Sequence, residues 1–238
     1  MDTGEPSRTG RERHRANLNR YTRKAFQMLP RISTPRILDI GCGSGIPTRE
    51  LAGLSDGQIV ALDVDEALLH RLRRDIERAG LSCRIRAVRA SLFELPFQEE
   101  SFDIVWAEGS ISRIGFKYGL EKWRRLLRRG GFLVVHDETG DIPGKLKQIP
   151  KSGYELLGHF LLSEDVWWAE YFGPLEERIR ETQAKQATGS IDTAGLLGDQ
   201  LEVDAFKRNP RSCASVFFVM QKASGFPGGS IQPDSSQD

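Results

Sequence analysis

A glycine-rich turn with an acidic residue just ahead of it is the sharpest chemical feature of the sequence. The run Leu38-Asp39-Ile40 leads into Gly41-Cys42-Gly43-Ser44-Gly45. Glycines leave the backbone bare, so a ligand can lie against the N–H groups that open the following helix. A dinucleotide fingerprint would need a further glycine where the chain has Ile46. Because Asp39 repels a diphosphate and attracts an amine, the turn predicts a ligand with a positively charged end.

A second acidic residue follows at the spacing typical of a nucleoside site. Asp63 stands 18 residues after Gly45, at the end of the apolar run Ile59-Val60-Ala61-Leu62. A carboxylate in that position can accept hydrogen bonds from both hydroxyls of a ribose. The alternative is a turn residue beside Asp65, which is placed to cap the next helix. In register with a strand, a turn and a helix, the two motifs together favour the nucleoside interpretation.

Strand and helix patterns alternate along most of the chain. Apolar runs predict seven strands, at 36–40, 59–62, 85–88, 102–106, 132–135, 154–162 and 215–220. Helices are predicted over 46–54, from Asp65 to Gly80, and near 117–128. This alternation predicts an α/β fold with a doubly wound, mostly parallel seven-stranded sheet and helices on both faces. Ligands bind beyond the carboxyl ends of such strands, where Ser91, Glu108 and Asp137 join the two motifs above.

Charge and composition exclude several classes of protein. The 238 residues include 34 Lys and Arg against 33 Asp and Glu, which argues against wholesale binding of a polyanion. No apolar run is long enough to span a membrane, and the N-terminus lacks the apolar stretch of a secretory signal. Cys42, Cys83 and Cys213 are too widely spaced for a disulfide framework or a zinc site. We therefore expect no bound metal and a cytoplasmic location.

The chain is predicted to hold one domain between two polar ends. Residues 1–36 contain nine basic and three acidic residues, and we interpret 1–16 as a basic flexible arm. Residues 17–222 are predicted to form a single domain, with a helical insertion at about 163–208 before the last strand. Residues 223–238 are rich in Gly, Ser, Pro and Gln and are predicted to be a disordered tail.

Residues 17–138 resemble the class I S-adenosylmethionine-dependent methyltransferases of the small-molecule type, which have a Rossmann-like fold. Five motifs carry the resemblance. They are the glycine turn (38–45), the acid after the second strand (61–65), the segment around Leu-Pro-Phe (90–97), Ser-Phe-Asp (101–103) and Gly-Gly (130–131). Three further segments are similar to a bacterial subgroup of these enzymes that has no settled substrate, at 106–111, 114–116 and 167–174. The residues from 17 to 138 are thus predicted to form a methyltransferase core.

The resemblance implies S-adenosylmethionine as the cofactor and places its methionine end at the glycine turn. Asp39 and Gly41 are expected near the methionine amine and carboxylate, in the motif that also contains Cys42. Gly43 and Gly45 are expected to let the cofactor approach the loop.

The same resemblance places the adenosine end of the cofactor. Asp63 is expected to hold the ribose, with Val64 against the adenine. Ser91 and Leu92 are expected at the edge of the ring, with the Leu92 amide as a donor to it. Ser91 replaces the acid that commonly accepts from the adenine amino group, and a hydroxyl makes a weaker bond than a charged group does.

Methyl transfer requires a base only if the acceptor has to lose a proton. Glu108, at the end of the fourth strand, is our first candidate for that base, with a pKa that burial would need to raise. The alternative roles for Glu108 are a partner of the cofactor amine or a helix cap. Asp137, together with His136 at the end of the fifth strand, is the second candidate.

Five residues are predicted to contact the methyl acceptor: Ser110, Phe116, Trp167, Trp168 and Tyr171. On a helix, Trp168 and Tyr171 share one face, with Trp167 also near Tyr171. These aromatic side chains could line an acceptor pocket, or they could simply pack the insertion onto the sheet. Both interpretations remain open at this point.

The sequence therefore predicts a methyltransferase that acts on a small-molecule acceptor by in-line transfer. An RNA methyltransferase is an alternative, using the basic arm and a basic helix at 122–129, although cations are favoured at a helix C-terminus anyway. The Asn-Pro-Pro-Tyr signature of amine methylation is absent after the fourth strand, which makes a nucleic-acid base a less favoured target. A non-catalytic protein that only binds the cofactor is the remaining alternative.

Overall fold

A single seven-stranded sheet organises the computed structural model, which describes residues 14–186 and 193–225. Its strands, β1 to β7, are Arg36–Ile40, Gln58–Asp63, Ile85–Arg89, Phe102–Glu108, Leu127–Glu138, Tyr154–Leu162 and Ser215–Lys222. The strand order is β3-β2-β1-β4-β5-β7-β6. Neighbouring strands from β3 to β5 are parallel, and β7 runs antiparallel to both β5 and β6. The predicted mostly parallel, doubly wound sheet is confirmed.

Helices cover both faces of this sheet. They are α1 to α8, at Asn19–Gln27, Ile46–Leu54, Glu66–Arg78, Phe116–Arg124, Ile142–Lys151, Glu164–Trp167, Gly173–Gln186 and Thr193–Arg208, with a π-helical turn at Trp168–Phe172 between α6 and α7. Successive strand residues face opposite sides, so Ile37 and Trp106 pack in one core while Leu38 and Val105 pack in the other.

The start of α3 shows how local sequence fixes an element beside the site. Asp65 has an extended backbone, and its carboxylate accepts hydrogen bonds from the N–H groups of Ala67 and Leu68 at 2.9 and 3.2 Å. This is the N-cap that the sequence predicts. Leu69 and Leu72, which recur at helical spacing, are fully buried against the sheet.

The segment between β6 and β7 lies at the carboxyl edge of the sheet. Ser215 at the start of β7 pairs with both Glu138 and Leu162, the last residues of β5 and β6. The helices in between contribute buried side chains, including Tyr171 and Val203, to the core that α1 also joins. Helices from both ends of the chain thus cover the same face, next to the edge where ligands bind in such sheets.

The helix predicted near 117–128 ends earlier than the sequence indicates. Helix α4 stops at Arg124, and β5 begins at Leu127. Leu126 and Leu127 continue the helical spacing of apolar residues, but both are fully buried, and the N–H of Phe102 bonds to the Leu126 carbonyl. Tertiary pairing with β4 therefore overrides the local pattern.

Two of the cations that suggested a basic helix at 122–129, Arg125 and Arg128, are bonded within the fold. The Arg125 guanidinium donates to the carbonyls of Leu95 and Phe97 at 2.8 and 3.0 Å. Arg128, already in β5, pairs with Asp103 at 2.8 Å. The predicted basic helix at 122–129 is wrong, because α4 ends at Arg124 and β5 begins at Leu127.

The two predicted polar ends fall almost wholly on residues whose structure is not described. Residues 1–13 of the basic arm and 226–238 of the tail lie outside the described ranges. Within those ranges, every helix is too short or too polar to cross a bilayer.

Candidate functional site

Three carboxylates meet at the carboxyl ends of β1, β2 and β4. Asp39 is the most enclosed of them, with 1% of its surface exposed. Its carboxylate accepts a hydrogen bond from the Thr48 hydroxyl, on α2, at 2.6 Å. The pKa of Asp39 is raised to about 7, mainly by burial; the hydrogen bond from Thr48 opposes this rise, and the nearby charges of Glu108 and Asp63 contribute to it. A cation bound close to Asp39 would therefore offset the cost of its buried negative charge.

Asp63 ties the glycine turn to the end of β2. Its two carboxylate oxygens accept hydrogen bonds from the N–H of Gly43 at 2.8 Å and from the N–H of Asp65 at 3.0 Å. The carboxylate therefore fixes the turn as well as standing beside the adjoining pocket. Both interpretations of Asp63, as a turn residue and as a ligand-facing acid, fit this geometry.

Glu108 is the third carboxylate, and its partners come from two elements. Its Oε1 accepts hydrogen bonds from Trp106 Nε1 and from the Thr22 hydroxyl of α1, both at 2.8 Å. Removal from water raises the pKa of Glu108, and these two hydrogen bonds and the charge of Arg15 oppose that shift. The contact with Trp106 could be predicted, because residues two apart in a strand lie on the same face. No sequence pattern links Thr22 to a residue so far along the chain.

A cavity of about 470 Å³ opens beside the glycine turn. Predicted cofactor residues line it, namely Gly41, Asp63, Val64, Ser91 and Leu92, and Ser110 lines it as well. Val64 is 55% exposed although it is apolar, so it offers a surface for a flat ring. The volume is within the range of small-molecule and cofactor sites.

Three polar residues of this cavity, Ser91, Arg113 and Ser110, add to the predicted description of the site. The Ser91 hydroxyl accepts a hydrogen bond from the N–H of Phe93 at 3.2 Å, so the loop already uses one of its lone pairs. Arg113, which sequence reasoning missed, also lines the cavity. Ser110 donates to the carbonyl of Ile40 at 2.6 Å and is buried. Its hydroxyl proton therefore stabilises the turn and is not available to an acceptor.

The three glycines of the turn serve different purposes. A Cβ on Gly43 would meet nothing within 4 Å, so this residue faces open space. A Cβ on Gly45 would clash with the side chain of Leu72 on α3, and one on Gly41 would lie 2.5 Å from Ser110 Cβ. Gly43 thus leaves open space beside the turn, whereas the missing Cβ of Gly45 allows α3 to pack closely. The predicted contact of both glycines with the cofactor stays a prediction.

This difference predicts opposite behaviour for two matched variants. Gly45→Ala should lower the free energy of unfolding by about 2–4 kcal/mol, because it adds a clash to a backbone at φ 79°. Gly43→Ala, at φ 55° with open space around it, should cost about 1 kcal/mol. Denaturant unfolding of both variants measures this. Equal losses of stability would contradict the packing role of Gly45.

Asp137 lies on the opposite face of the sheet from Glu108. It is buried, and Lys145 of α5 pairs with it at 2.6 Å. Its neighbour His136 points the other way, onto Phe217, because strand residues alternate. The structure therefore does not bring Glu108 and Asp137 together, and Glu108 is the acid on the α1 side.

Phe116 also belongs to the Asp137 face. It is buried, its ring lies 5.2 Å from that of Phe218, and the Lys145 ammonium lies 5.5 Å from its centre. It lines a separate surface cavity with Asp141 and Lys145. The structure thus separates Phe116 from the Glu108 face where the other acceptor residues were expected.

The aromatic residues of the insertion mainly pack against protein. Trp168 stacks on Phe206 with ring centres 5.7 Å apart, and the Tyr171 hydroxyl bonds to Glu202 at 3.0 Å. Trp167 differs, since the Arg15 guanidinium lies over its ring at 5.3 Å. Trp167 is therefore the aromatic residue of the three that borders the Glu108 site.

A small cavity joins these groups on the Glu108 side. Its volume is about 10 Å³, and its walls come from α1 and the segment before it, from α2 and from four strands; they include Arg15, Leu18, Ile46, Glu108, His136 and Phe217. Asn17 and Arg20 bind Glu170 at 2.8 and 2.6 Å, which attaches α1 and the turn before it to the insertion. This volume is about that of a single water molecule, so an organic molecule can enter only if the surrounding elements, such as α1, move.

Comparison with known proteins agrees with this geometry. A family model described as "Methyltransferase domain" matches residues 37–131. The chain is 28% identical over 178 residues to sterol 24-C-methyltransferase ERG6B of Gibberella zeae, covering 62% of this chain and 47% of that protein. It is 32% identical over 119 residues to 27-O-demethylrifamycin SV methyltransferase of Amycolatopsis mediterranei, covering 50% and 44%. The chain thus spans less than half the length of these two curated relatives.

Solved structures share the fold. The [4+2]-cyclase SpnF superposes with a TM-score of 0.70 at 20% identity, over 87% of this chain and 82% of that one. A geranyl diphosphate methyltransferase in complex with S-adenosylmethionine superposes with a TM-score of 0.62 at 16% identity, over 92% and 93%. Residues 37–131, which include the glycine turn and Asp63, thus belong to the methyltransferase domain family, and the described chain has the fold of these solved structures.

Proposed function

We propose that the protein transfers a methyl group from S-adenosylmethionine to a small-molecule acceptor. The observation that carries this proposal is the meeting of Asp39, Asp63 and Glu108 around a bare glycine turn, beside a cavity of about 470 Å³. Three neighbouring carboxylates favour a ligand with positive charge, and a bound sulfonium nucleoside has it. The match to the family covers the same turn.

The residues present fit the two ends of that cofactor. Asp39 is proposed to pair with the amine, and the open space at Gly43 supports a ligand that lies against the backbone. Asp63 stands where it can accept from ribose hydroxyls, while Val64 and Leu92 flank the space for the base. The cofactor supplies a methyl group already activated by its sulfonium, so the protein's task is to position and desolvate.

The acceptor is proposed to bind at the small cavity next to Glu108, which has to widen to admit it. Its walls are mostly apolar, which suits an uncharged organic molecule admitted when α1 moves away. Glu108 is placed to take a proton from the acceptor. Relatives named for a sterol and for a demethylrifamycin support a small-molecule class, and the bonding of Arg125 and Arg128 within the fold does not favour RNA.

A cytoplasmic location fits the free cysteines. Cys42, Cys83 and Cys213 all carry free thiols in the structure, and Cys83 is exposed. Free thiols persist where the compartment is reducing.

Calorimetry with S-adenosylhomocysteine tests the cofactor site. Asp63→Ala should weaken binding by about 1.5–3 kcal/mol, the range for a lost hydrogen bond to a charged group. Asp56→Ala, an exposed acid before β2 at the opposite edge of the sheet, is the matched control and should leave affinity unchanged. No binding by the wild-type chain, or equal affinity in the Asp63 variant, would overturn this site.

Transfer itself needs a second measurement, because a cyclase shares the fold. The wild-type chain should move labelled methyl from S-adenosylmethionine into a component of a small-molecule extract. Binding without any transfer to such an extract would leave only a cofactor-binding protein, and the proposed function would be wrong.

A further inference from the structure

His136 is a buried polar residue in the acceptor cavity that the cofactor site does not use. It is 5% exposed, and its ring lies between Phe217, with centres 4.2 Å apart, and Trp167, with centres 6.2 Å apart. Its Nε2 lies 2.7 Å from the hydroxyl of Ser215. Its Nδ1 is buried and meets no partner in the part of the chain that the structure describes.

The hydrogen bonds of this cluster favour one tautomer of the His136 ring. The Trp167 indole N–H can only donate, and it donates to the Ser215 hydroxyl oxygen at 2.9 Å. The Ser215 hydroxyl proton has one acceptor among the described residues, His136 Nε2. If Nε2 accepts, every hydrogen in the chain from Trp167 to His136 is used, and the proton of the neutral ring must reside on Nδ1. That tautomer leaves one buried group without a partner, the Nδ1–H, whereas the opposite tautomer would leave two, the Ser215 hydroxyl proton and the Nδ1 lone pair. Because each unpaired buried group costs free energy, the Nδ1–H tautomer is favoured.

The residue with the unpartnered N–H lines the same cavity as the proposed base. Glu108 and His136 are direct neighbours across β4 and β5 and line the small cavity together. Oε1 of Glu108 is occupied by Trp106 and Thr22, and none of the described residues bonds to Oε2. The cavity therefore offers a hydrogen-bond donor on one strand and an acceptor on the next.

We infer that His136 Nδ1–H donates a hydrogen bond to a hydroxyl of the methyl acceptor, and that Ser215 and Trp167 hold the ring in the tautomer that does so. This inference rests on the proposed function. A hydroxyl is the group that can accept from His136 and donate to Glu108 through one atom. His136 is thus a residue that selects and orients the acceptor, whereas Ser215 and Trp167 are positioning residues that act through it.

The charge state of His136 supports this role. Burial and the positive charge of Arg15 lower the pKa of His136 to about 3, so the ring stays neutral at physiological pH. A neutral ring offers one N–H, and its position depends on the bond made by the other nitrogen. The N–H therefore remains on Nδ1 for as long as Ser215 donates to Nε2.

The tautomer can be measured without knowing the acceptor. Nitrogen-15 NMR of the full chain labelled at histidine, with His136 assigned by its loss in His136→Phe, should show a neutral ring protonated at Nδ1. Ser215→Ala should abolish that preference, and His159→Phe, an exposed histidine on β6, should not change it. A wild-type ring protonated at Nε2 overturns the inference whatever the activity is.

The role in the reaction is tested by transfer of labelled methyl to a small-molecule extract. His136→Phe keeps the stacked ring but removes the donor, so labelling should fall at least about tenfold, while affinity for S-adenosylhomocysteine stays within about twofold. The product identified by mass spectrometry should be a methyl ether. Equal labelling by His136→Phe and wild type, or a product methylated at nitrogen, carbon or a carboxylate, overturns the donor role alone. No labelling by the wild-type chain overturns the proposed function itself, and the inference falls with it.

Discussion

Replacing Glu108 by Gln should lower the rate of methyl transfer by about 10²–10⁴-fold, the contribution expected of a general base. Gln keeps the size of the side chain and still accepts hydrogen bonds from Trp106 and Thr22 through its carbonyl oxygen. It cannot take a proton from the acceptor. Since burial raises the pKa of the wild-type carboxyl, the wild-type rate should also rise with pH as Glu108 ionises.

Single-turnover transfer with labelled S-adenosylmethionine, into the acceptor fraction of an extract, measures the effect of Glu108→Gln. Glu138→Gln is the matched control, because Glu138 ends the adjacent strand but is exposed. A rate unchanged in Glu108→Gln would exclude a base at this position. A normal rate at saturating cofactor with weakened cofactor binding would instead identify Glu108 as a partner of the cofactor amine.

Short-range patterns were sufficient to predict the sheet and the strands that hold the site. The apolar runs before Asp39, Asp63 and Glu108 predict buried parallel strands, and parallel strands bring their carboxyl ends to one edge. The meeting of these three acids follows from that rule, since each is the last or nearly the last residue of its strand. The fold and the family could therefore be predicted from residues close together in sequence.

Contacts between distant segments could not be predicted in this way. Thr22 reaches Glu108 from 86 residues earlier in the chain, and no spacing rule connects them. The serine that fixes the His136 tautomer lies 79 residues after it. Such partners depend on how helices and strands pack, and a single sequence carries no local pattern for that.

The glycine turn shows the same limit within a single motif. Gly43 and Gly45 look alike in sequence, yet the missing Cβ of one faces open space while the other faces Leu72 on α3. The position of α3 relative to the turn is a tertiary property. Sequence reasoning thus identifies the turn but cannot assign a purpose to each glycine.

Replacing Asp39 by Asn should weaken binding of the cofactor by about 100-fold at a pH above 7, because it removes one partner of a buried charge pair worth about 3 kcal/mol. The same change should stabilise the free protein there. In the free protein the pKa of Asp39 is raised to about 7 from the ordinary 3.8. The folded state therefore holds this proton more tightly than the unfolded state, and stability falls as the pH rises from about 4 to about 7. Asn, which resembles the protonated acid, does not incur that loss.

Linkage gives the pH dependence of cofactor binding the opposite sign. A bound ammonium favours the ionised form of Asp39, so binding below about pH 7 has to release a proton. Affinity for S-adenosylhomocysteine should rise by up to tenfold per pH unit until about pH 7 and then level off. Calorimetry in two buffers of different ionisation enthalpy should detect that proton in the wild type and not in Asp39→Asn.

A substitution at Thr48 distinguishes a proton released by Asp39 from a general disruption of the cofactor site. The Thr48 hydroxyl donates to Asp39 at 2.6 Å and lowers its pKa against the effect of burial. Thr48→Val removes that donor at nearly constant volume, so the pKa of Asp39 should rise and the pH at which affinity levels off should move upward with it. Asp39→Asn should abolish the slope, whereas Thr48→Val should only displace it. A slope that persists in Asp39→Asn would assign the released proton to another group and remove Asp39 from the proposed amine site.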